Sequence, residues 1–288
     1  MDLALLILAA VLLAADFLIA GMYQKREGHS PEKVFRFNFF IGLFSLVIFF
    51  FINGCRIEFN PFSGIMALTM TVLCILYTLI GFRVLAAGGT AYYTFFLMTG
   101  GMTVPYIWGL IFLGESFSWL RLVGLLLIAG AALLIYADKK RLSPKIMLLC
   151  IVIFFLNGFV SVVSKEHQIN VQAVSSSAFI ILTALVKVVL SGVVLLYFRF
   201  KKGTQQTKQP LSPKSFLLLA ASALISGLSY LLQLNGAANL PATVVYPVIT
   251  GGSIVFTAAA GWIFLKEKPT KALIFGVLVC FIGTCLFL

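Results

Sequence analysis

The sequence predicts an all-α integral membrane protein, with ten transmembrane helices arranged as two inverted five-helix repeats. Three observations predict it. Apolar runs of about 20 residues recur along the chain, each long enough to cross about 30 Å of hydrocarbon as a helix. Of 288 residues, 61% are hydrophobic and only 10% charged, against about a quarter charged in an ordinary soluble domain. The chain also repeats itself. Thr99-Gly100-Gly101 returns as Thr250-Gly251-Gly252 after 151 residues, and Glu115 returns as Glu267 after 152. Such self-similarity marks a duplicated fold. Barrel strands are excluded, because they alternate and run for about 10 residues.

The spans fall at residues 3–23, 34–52, 63–85, 90–113, 121–137, 146–166, 175–198, 215–236, 241–265 and 271–288. The first opens on Met-Asp and is too long for a cleaved signal, so it is expected to remain as a helix. The connections 86–89 and 237–240 are so short that the spans they join must be antiparallel neighbours. The basic stretch Asp138-Lys139-Lys140-Arg141-Leu142-Ser143-Pro144 divides the chain into residues 1–138 and 139–288. Five spans per half is an odd number, so the halves are expected to lie upside down relative to one another. The polar stretch 201–210 reads as a tether between the seventh and eighth spans.

Net charge is +12, but the basic residues sit in short loops, which argues for membrane orientation and against nucleic acid as a partner. Fifteen of them fall in the odd-numbered loops, with Arg36 and Arg83 at adjoining helix ends. The other side holds Arg56, Arg121 and Lys165. Odd loops are therefore expected in the cytoplasm and both termini outside. Membrane lipids are then the surrounding partner, Trp108, Trp119 and Trp262 near helix ends read as interfacial belt residues, and Glu115 and Glu267 lie near the surface.

Two charges fall inside spans. Asp16 lies mid-way along the first, where a carboxylate is costly unless protonated, paired or facing water. It is either a proton or cation coupling site or a structural hydrogen bond to a neighbouring helix. Lys187 lies about 12 residues, or roughly 18 Å, from either end of the seventh span, too deep to snorkel easily. It is either a site residue, with Asp16 or an acidic group on a substrate as its anion, or a structural or snorkelled lysine. A second set comprises Tyr77, Tyr92, Tyr93, Thr99, Asn157, Ser161, Tyr230, Gln233, Tyr246 and Thr250. These either converge on a cavity with aromatic walls or pack between helices. Gly100, Gly101 and Pro105 in the fourth span match Pro247, Gly251 and Gly252 in the ninth. Paired interruptions point to a hinge or binding site, or to close packing across glycine.

No cofactor or metal is expected. Cys55, Cys74, Cys150, Cys280 and Cys285 form no CxxC and have no histidine at ligand spacing. His29 and His167 lack clustered carboxylates, and no hydrolase, zincin, P-loop or dinucleotide motif occurs, which argues against an enzyme. Without an ATP-binding motif, uphill movement of a solute is expected to draw on an ion gradient or another protein.

Each half resembles an EamA domain of the drug/metabolite transporter superfamily. The resemblance rests on the fourth span running into Leu113-Gly114-Glu115, followed by the glycine-bearing Gly124-Leu125-Leu126-Leu127-Ile128-Ala129-Gly130. The second half has Leu265-Lys266-Glu267 and Gly276 to Gly283, and Asn157-Gly158-Phe159-Val160-Ser161-Val162-Val163-Ser164-Lys165 is similar to the first helix of a half. Ala15-Asp16 through Lys25-Arg26-Glu27-Gly28 also looks like the first helix of small multidrug resistance proteins, with Asp for Glu. The resemblance implies a central cavity between the halves and a peripheral last helix in each. It further implies a secondary transporter, in the plasma (inner) membrane, that exports a small-molecule metabolite or drug by alternating access, with proton coupling through Asp16. The alternative within the superfamily is a lipid-linked intermediate flippase; a membrane-embedded enzyme or sensor is the remoter class.

Overall fold

The computed structural model describes residues 2–28, 30–86, 90–136, 143–202, 211–265 and 271–287. Among them are ten helices and no strands: α1 (Asp2–Glu27), α2 (Pro31–Ile52), α3 (Pro61–Ala86), α4 (Thr90–Phe112), α5 (Trp119–Tyr136), α6 (Pro144–Ile169), α7 (Ser176–Lys202), α8 (Pro213–Asn239), α9 (Ala242–Leu265) and α10 (Lys271–Cys285). Most of the basic linker, the tether, the 87–89 turn, His29, Lys266 and Glu267 lie outside the described residues.

Four of the helices that start earlier than hydropathy alone predicts share a local cause. Pro31, Pro61, Pro144 and Pro213 each occupy the first helical position, where a missing N–H is harmless and φ is preset. Ser143 and Ser212 accept hydrogen bonds from Ile146 N and Ser215 N, and Asn60 Oδ1 accepts from Ser63 N at 2.7 Å. Each bond satisfies an orphan donor of the first turn.

Eight of the helices are long and apolar enough to cross a membrane. α5 and α10 are apolar but shorter among the described residues, and they pack against each other. Large side chains such as Leu126, Leu148, Val193 and Phe275 are at least 60% exposed. In water such a surface would aggregate; facing acyl chains, it is the expected outer wall. The chain is thus a multi-pass helical membrane protein.

Inside, one apolar cluster joins α1, α4, α5, α9 and α10 around Leu6, Met102, Tyr106, Ile128 and Val245. A second joins α2, α3, α7 and α8 around Phe49, Phe179, Ile181 and Leu234. The main pairings are α1 with α8 and α9, α2 with α7 and α8, α3 with α6 and α7, α4 with α6 and α9, and α5 with α10.

The glycine-proline sites do not break their helices. α4 runs unbroken through Gly100, Gly101 and Pro105, and α9 through Pro247, Gly251 and Gly252. Proline at 105 frees the carbonyl four residues back, which is Gly101 O. Ser161 Oγ of α6 donates to that oxygen at 3.1 Å, so the helix continues. A Cβ on Gly100 would strike the Phe154 carbonyl, and one on Gly251 would strike Thr284. Both glycines permit close helix approach.

Candidate functional site

A cavity of about 150 Å³ opens where α2, α3, α7 and α8 meet, against the second apolar cluster. α2 contributes Ile41, Gly42 and Ser45; α3 contributes Met70, Thr71 and Cys74. α7 contributes Ile180, Thr183, Ala184 and Lys187, and α8 contributes Ser226, Gly227 and Tyr230. Two of these helices precede the basic linker and two follow it. Lys187 is the single charged side chain on the wall. Its half-buried ammonium forms no hydrogen bond or ion pair with protein among the described residues.

Asp16 stands behind this wall. It accepts a hydrogen bond from Ser222 Oγ of α8, one helical turn from Ser226 on the wall. Lys187 acts on Asp16 through space, but among the described residues no direct ion pair joins them. Of the two partners the sequence offered Lys187, the nearby carboxylate is held by a serine.

Tyr230 also lines the cavity; its hydroxyl shares a 2.9 Å hydrogen bond with Ser164 and lies 3.1 Å from Met70 Sδ. Tyr77 lies one helical turn after Cys74 of the wall on α3. With Tyr92 and Tyr93 it belongs to an apolar cluster around Val84, Cys150 and Ile153. The remaining candidates join helices. Asn157 Nδ2 donates to Leu97 O at 2.7 Å, and Tyr246 OH donates to Ser161 O at 2.6 Å. These tie α6 to α4 and α9. Gln233 donates to Ser229, which donates to Ala9 O. Thr99 donates to its own helix at Phe95 O, and the Thr250 carbonyl accepts from Ser253.

Six polar wall or near-wall residues escaped the sequence reading: Ser45, Thr71, Cys74, Thr183, Ser222 and Ser226. A signal existed on α8. Ser215, Ser222, Ser226, Ser229 and Gln233 recur at intervals of seven, four, three and four, a single helical face. That face meets α1: Ser215 donates to Glu27, Ser222 to Asp16 and Ser229 to Ala9 O.

Two residues near helix ends have partners that the sequence did not name. Lys165, near the end of α6, is buried, and its ammonium donates to Ala237 O and Leu240 O at 2.7 Å each. A cation against the last carbonyls of α8 satisfies acceptors that the helix cannot. Trp108 lies one helical turn from the end of α4. Its indole N–H donates to Glu166 at 2.6 Å and its ring packs on Phe112.

At one end of the bundle, hydrogen bonds link residues before the basic linker to residues after it. Asn60 Nδ2 donates to Gln172 O at 2.5 Å, and Ser177 Oγ to Asn53 Oδ1 at 2.5 Å. Ser175 N and Oγ donate to the Glu58 carboxylate at 2.9 and 3.0 Å. The Ser175 backbone N–H above all holds the Glu58 carboxyl below its ordinary value. Ser63 Oγ bonds His167 Nε2 at 2.9 Å, and the imidazole is stacked between Phe62 and Phe179. Glu115 accepts from Ala242 N and Thr243 N at 2.6 and 2.8 Å, capping α9.

Among the described residues no group of three His, Cys, Asp or Glu is placed to hold a metal.

No curated protein matches the chain in sequence. A solved crystal structure is similar over 99% of this chain and 95% of its own, with a TM-score of 0.76 at 12% identity, a likeness of fold alone. The profile of the EamA-like transporter family matches residues 144–288. This match covers half of an apolar, multi-span chain, and the chain belongs to the EamA-like transporter family.

Proposed function

We propose that the protein is a secondary transporter that exports a small organic solute across the plasma (inner) membrane by alternating access. The cavity carries the reading: it lies in the bundle interior, is walled by helices from both halves, and presents one charged group. Ion-coupled carriers place substrate at such a position, between repeats. In this reading all ten helices span the bilayer, residues 1–138 and 139–288 form inverted repeats, and the termini lie outside.

The helix pairings support the repeat. Exchanging α1–α5 for α6–α10 turns α1·α8 into α3·α6, α1·α9 into α4·α6, and α2·α8 into α3·α7, all of which occur. The pairs α2·α7, α4·α9 and α5·α10 map onto themselves. The bonded end of the bundle, built from the even-numbered connections, is then the outer face in its closed form. Outward release requires those bonds to part.

Asp16 is the proposed proton site. Ser222 and Ser226 place it one helical turn behind the cavity, so its charge and a solute's are felt together. A cavity of this size does not favour the flippase alternative, which must accommodate a lipid-linked headgroup. The test is pH-driven flux of a panel of amino acids, nucleobases, organic acids and cationic drugs in proteoliposomes. Asp16→Asn is expected to abolish pH-driven flux while the purified protein stays folded and monodisperse. Unchanged flux removes the coupling role, and absence of flux for the whole panel removes the transporter reading.

A further inference from the structure

We infer that the cavity binds a small hydroxylated monocarboxylate, with Lys187 holding the carboxylate and the wall hydroxyls holding the hydroxyl group. The inference deepens the transporter reading and rests on it.

Charge sets the first requirement. Among the described residues Lys187 is the wall's single charge and no carboxylate pairs with it directly; Asp16 is held by Ser222. A cationic solute would meet like charge with no acidic group on the wall, an arrangement that costs several kcal/mol at close range. A carboxylate instead forms a charge-assisted hydrogen bond in a low-dielectric site. Ser45, whose hydroxyl makes no hydrogen bond among the described residues, stands on the same wall as a second donor.

Three further wall hydroxyls, those of Thr71, Thr183 and Ser226, are acceptors. Thr71 Oγ1 donates to Ala67 O at 2.7 Å, Thr183 Oγ1 to Ile180 O at 2.9 Å, and Ser226 Oγ to Ser222 O at 2.5 Å. Each proton is committed to its own helix, so each oxygen turns only lone pairs toward the cavity. Lone pairs repel a second carboxylate and accept from a donor. A neutral O–H suits them, whereas an ammonium would stand uncompensated near Lys187.

Size sets the last requirement. A cavity of about 150 Å³ accommodates benzene, six non-hydrogen atoms, and this one has that volume. A three-carbon hydroxy acid has six.

L-lactate, propionate, L-alanine and ethylammonium separate these requirements, with binding read by calorimetry on purified protein and counterflow read in proteoliposomes. Lactate is expected to bind tightest, with propionate about 2- to 10-fold weaker for want of the hydroxyl. Lys187→Met should weaken lactate about 10- to 100-fold, and Ser226→Ala should narrow only the gap between lactate and propionate. Should Lys187→Met misfold, Lys187→Arg tests the same bond by retaining the preference for anions over ethylammonium. Alanine or ethylammonium binding as tightly as lactate overturns the solute class; counterflow of that solute would leave the transporter reading intact. Lactate binding that Lys187→Met leaves unchanged also overturns the inference. So does failure of all four probes, and flux of the wider panel then decides the transporter reading separately.

Discussion

Ser161 illustrates how a polar side chain in lipid is used. Its hydroxyl closes the gap that Pro105 opens at Gly101 O, while its own carbonyl accepts from Tyr246. Ser161→Ala leaves a buried carbonyl unpaired, at about 1–3 kcal/mol, so thermal unfolding in detergent should begin several degrees lower. Glu58 acts at the surface. Its carboxyl is held below the ordinary 4.5 by the Ser175 N–H, so its contribution is complete above that pH and is lost as pH falls through the lower folded-state value. Wild-type protein should therefore lose thermal stability on acidification below pH 4.5. Glu58→Gln should start less stable at neutral pH and show a shallower acid slope. Sequence alone exposed Asp16 and Lys187, because a charge in an apolar run is conspicuous. It did not expose Thr71, Thr183 or Ser226. Small hydroxyls that bond their own helix are tolerated anywhere in a span, and only three-dimensional placement selects those on the cavity wall.

At the scale of helices, hydropathy located every element, and the disagreements lie at the ends. The Ser-Pro pairs at 30–31, 143–144 and 212–213 state where three helices begin, a capping signal that an apolar window averages away. The partners of Lys165 went unseen in the sequence for a related reason. A basic residue near a span end reads as a loop charge until the carbonyls of α8 are found beside it. The bonded connections make a direct test of alternating access. In a background lacking the five native cysteines, Asn60→Cys with Gln172→Cys should crosslink on oxidation and stop flux, and reduction should restore it. Full flux in the crosslinked protein would mean that this end never parts. Gel mobility and counterflow measure both halves of the prediction.

For the whole molecule, the duplication was legible at Thr99-Gly100-Gly101 and Thr250-Gly251-Gly252, and it anticipates a helix pairing that survives exchange of the halves. The exchange is incomplete at three places, one of them α5 on α9, for which α4 makes no comparable contact with α10 among the described residues. α8 packs on α6 and α7, whereas α3 makes no comparable contact with α1 and α2 among the described residues. In an inverted-repeat carrier, that inequality distinguishes one access state from its mirror.

The end that holds the halves together is stitched from Asn53, Glu58, Asn60, Gln172, Ser175 and Ser177, whose lengths of chain stand at the solvent boundary. Pulled apart, these groups rewet: water takes each vacated donor and acceptor, and each exchange is worth only about 1 kcal/mol. Greasy seams such as the Phe49–Phe179 layer have no such substitute. In the proposed alternating-access cycle, this makes an inexpensive clasp at the rim over a durable spine, which a ligand of modest preference would suffice to tip.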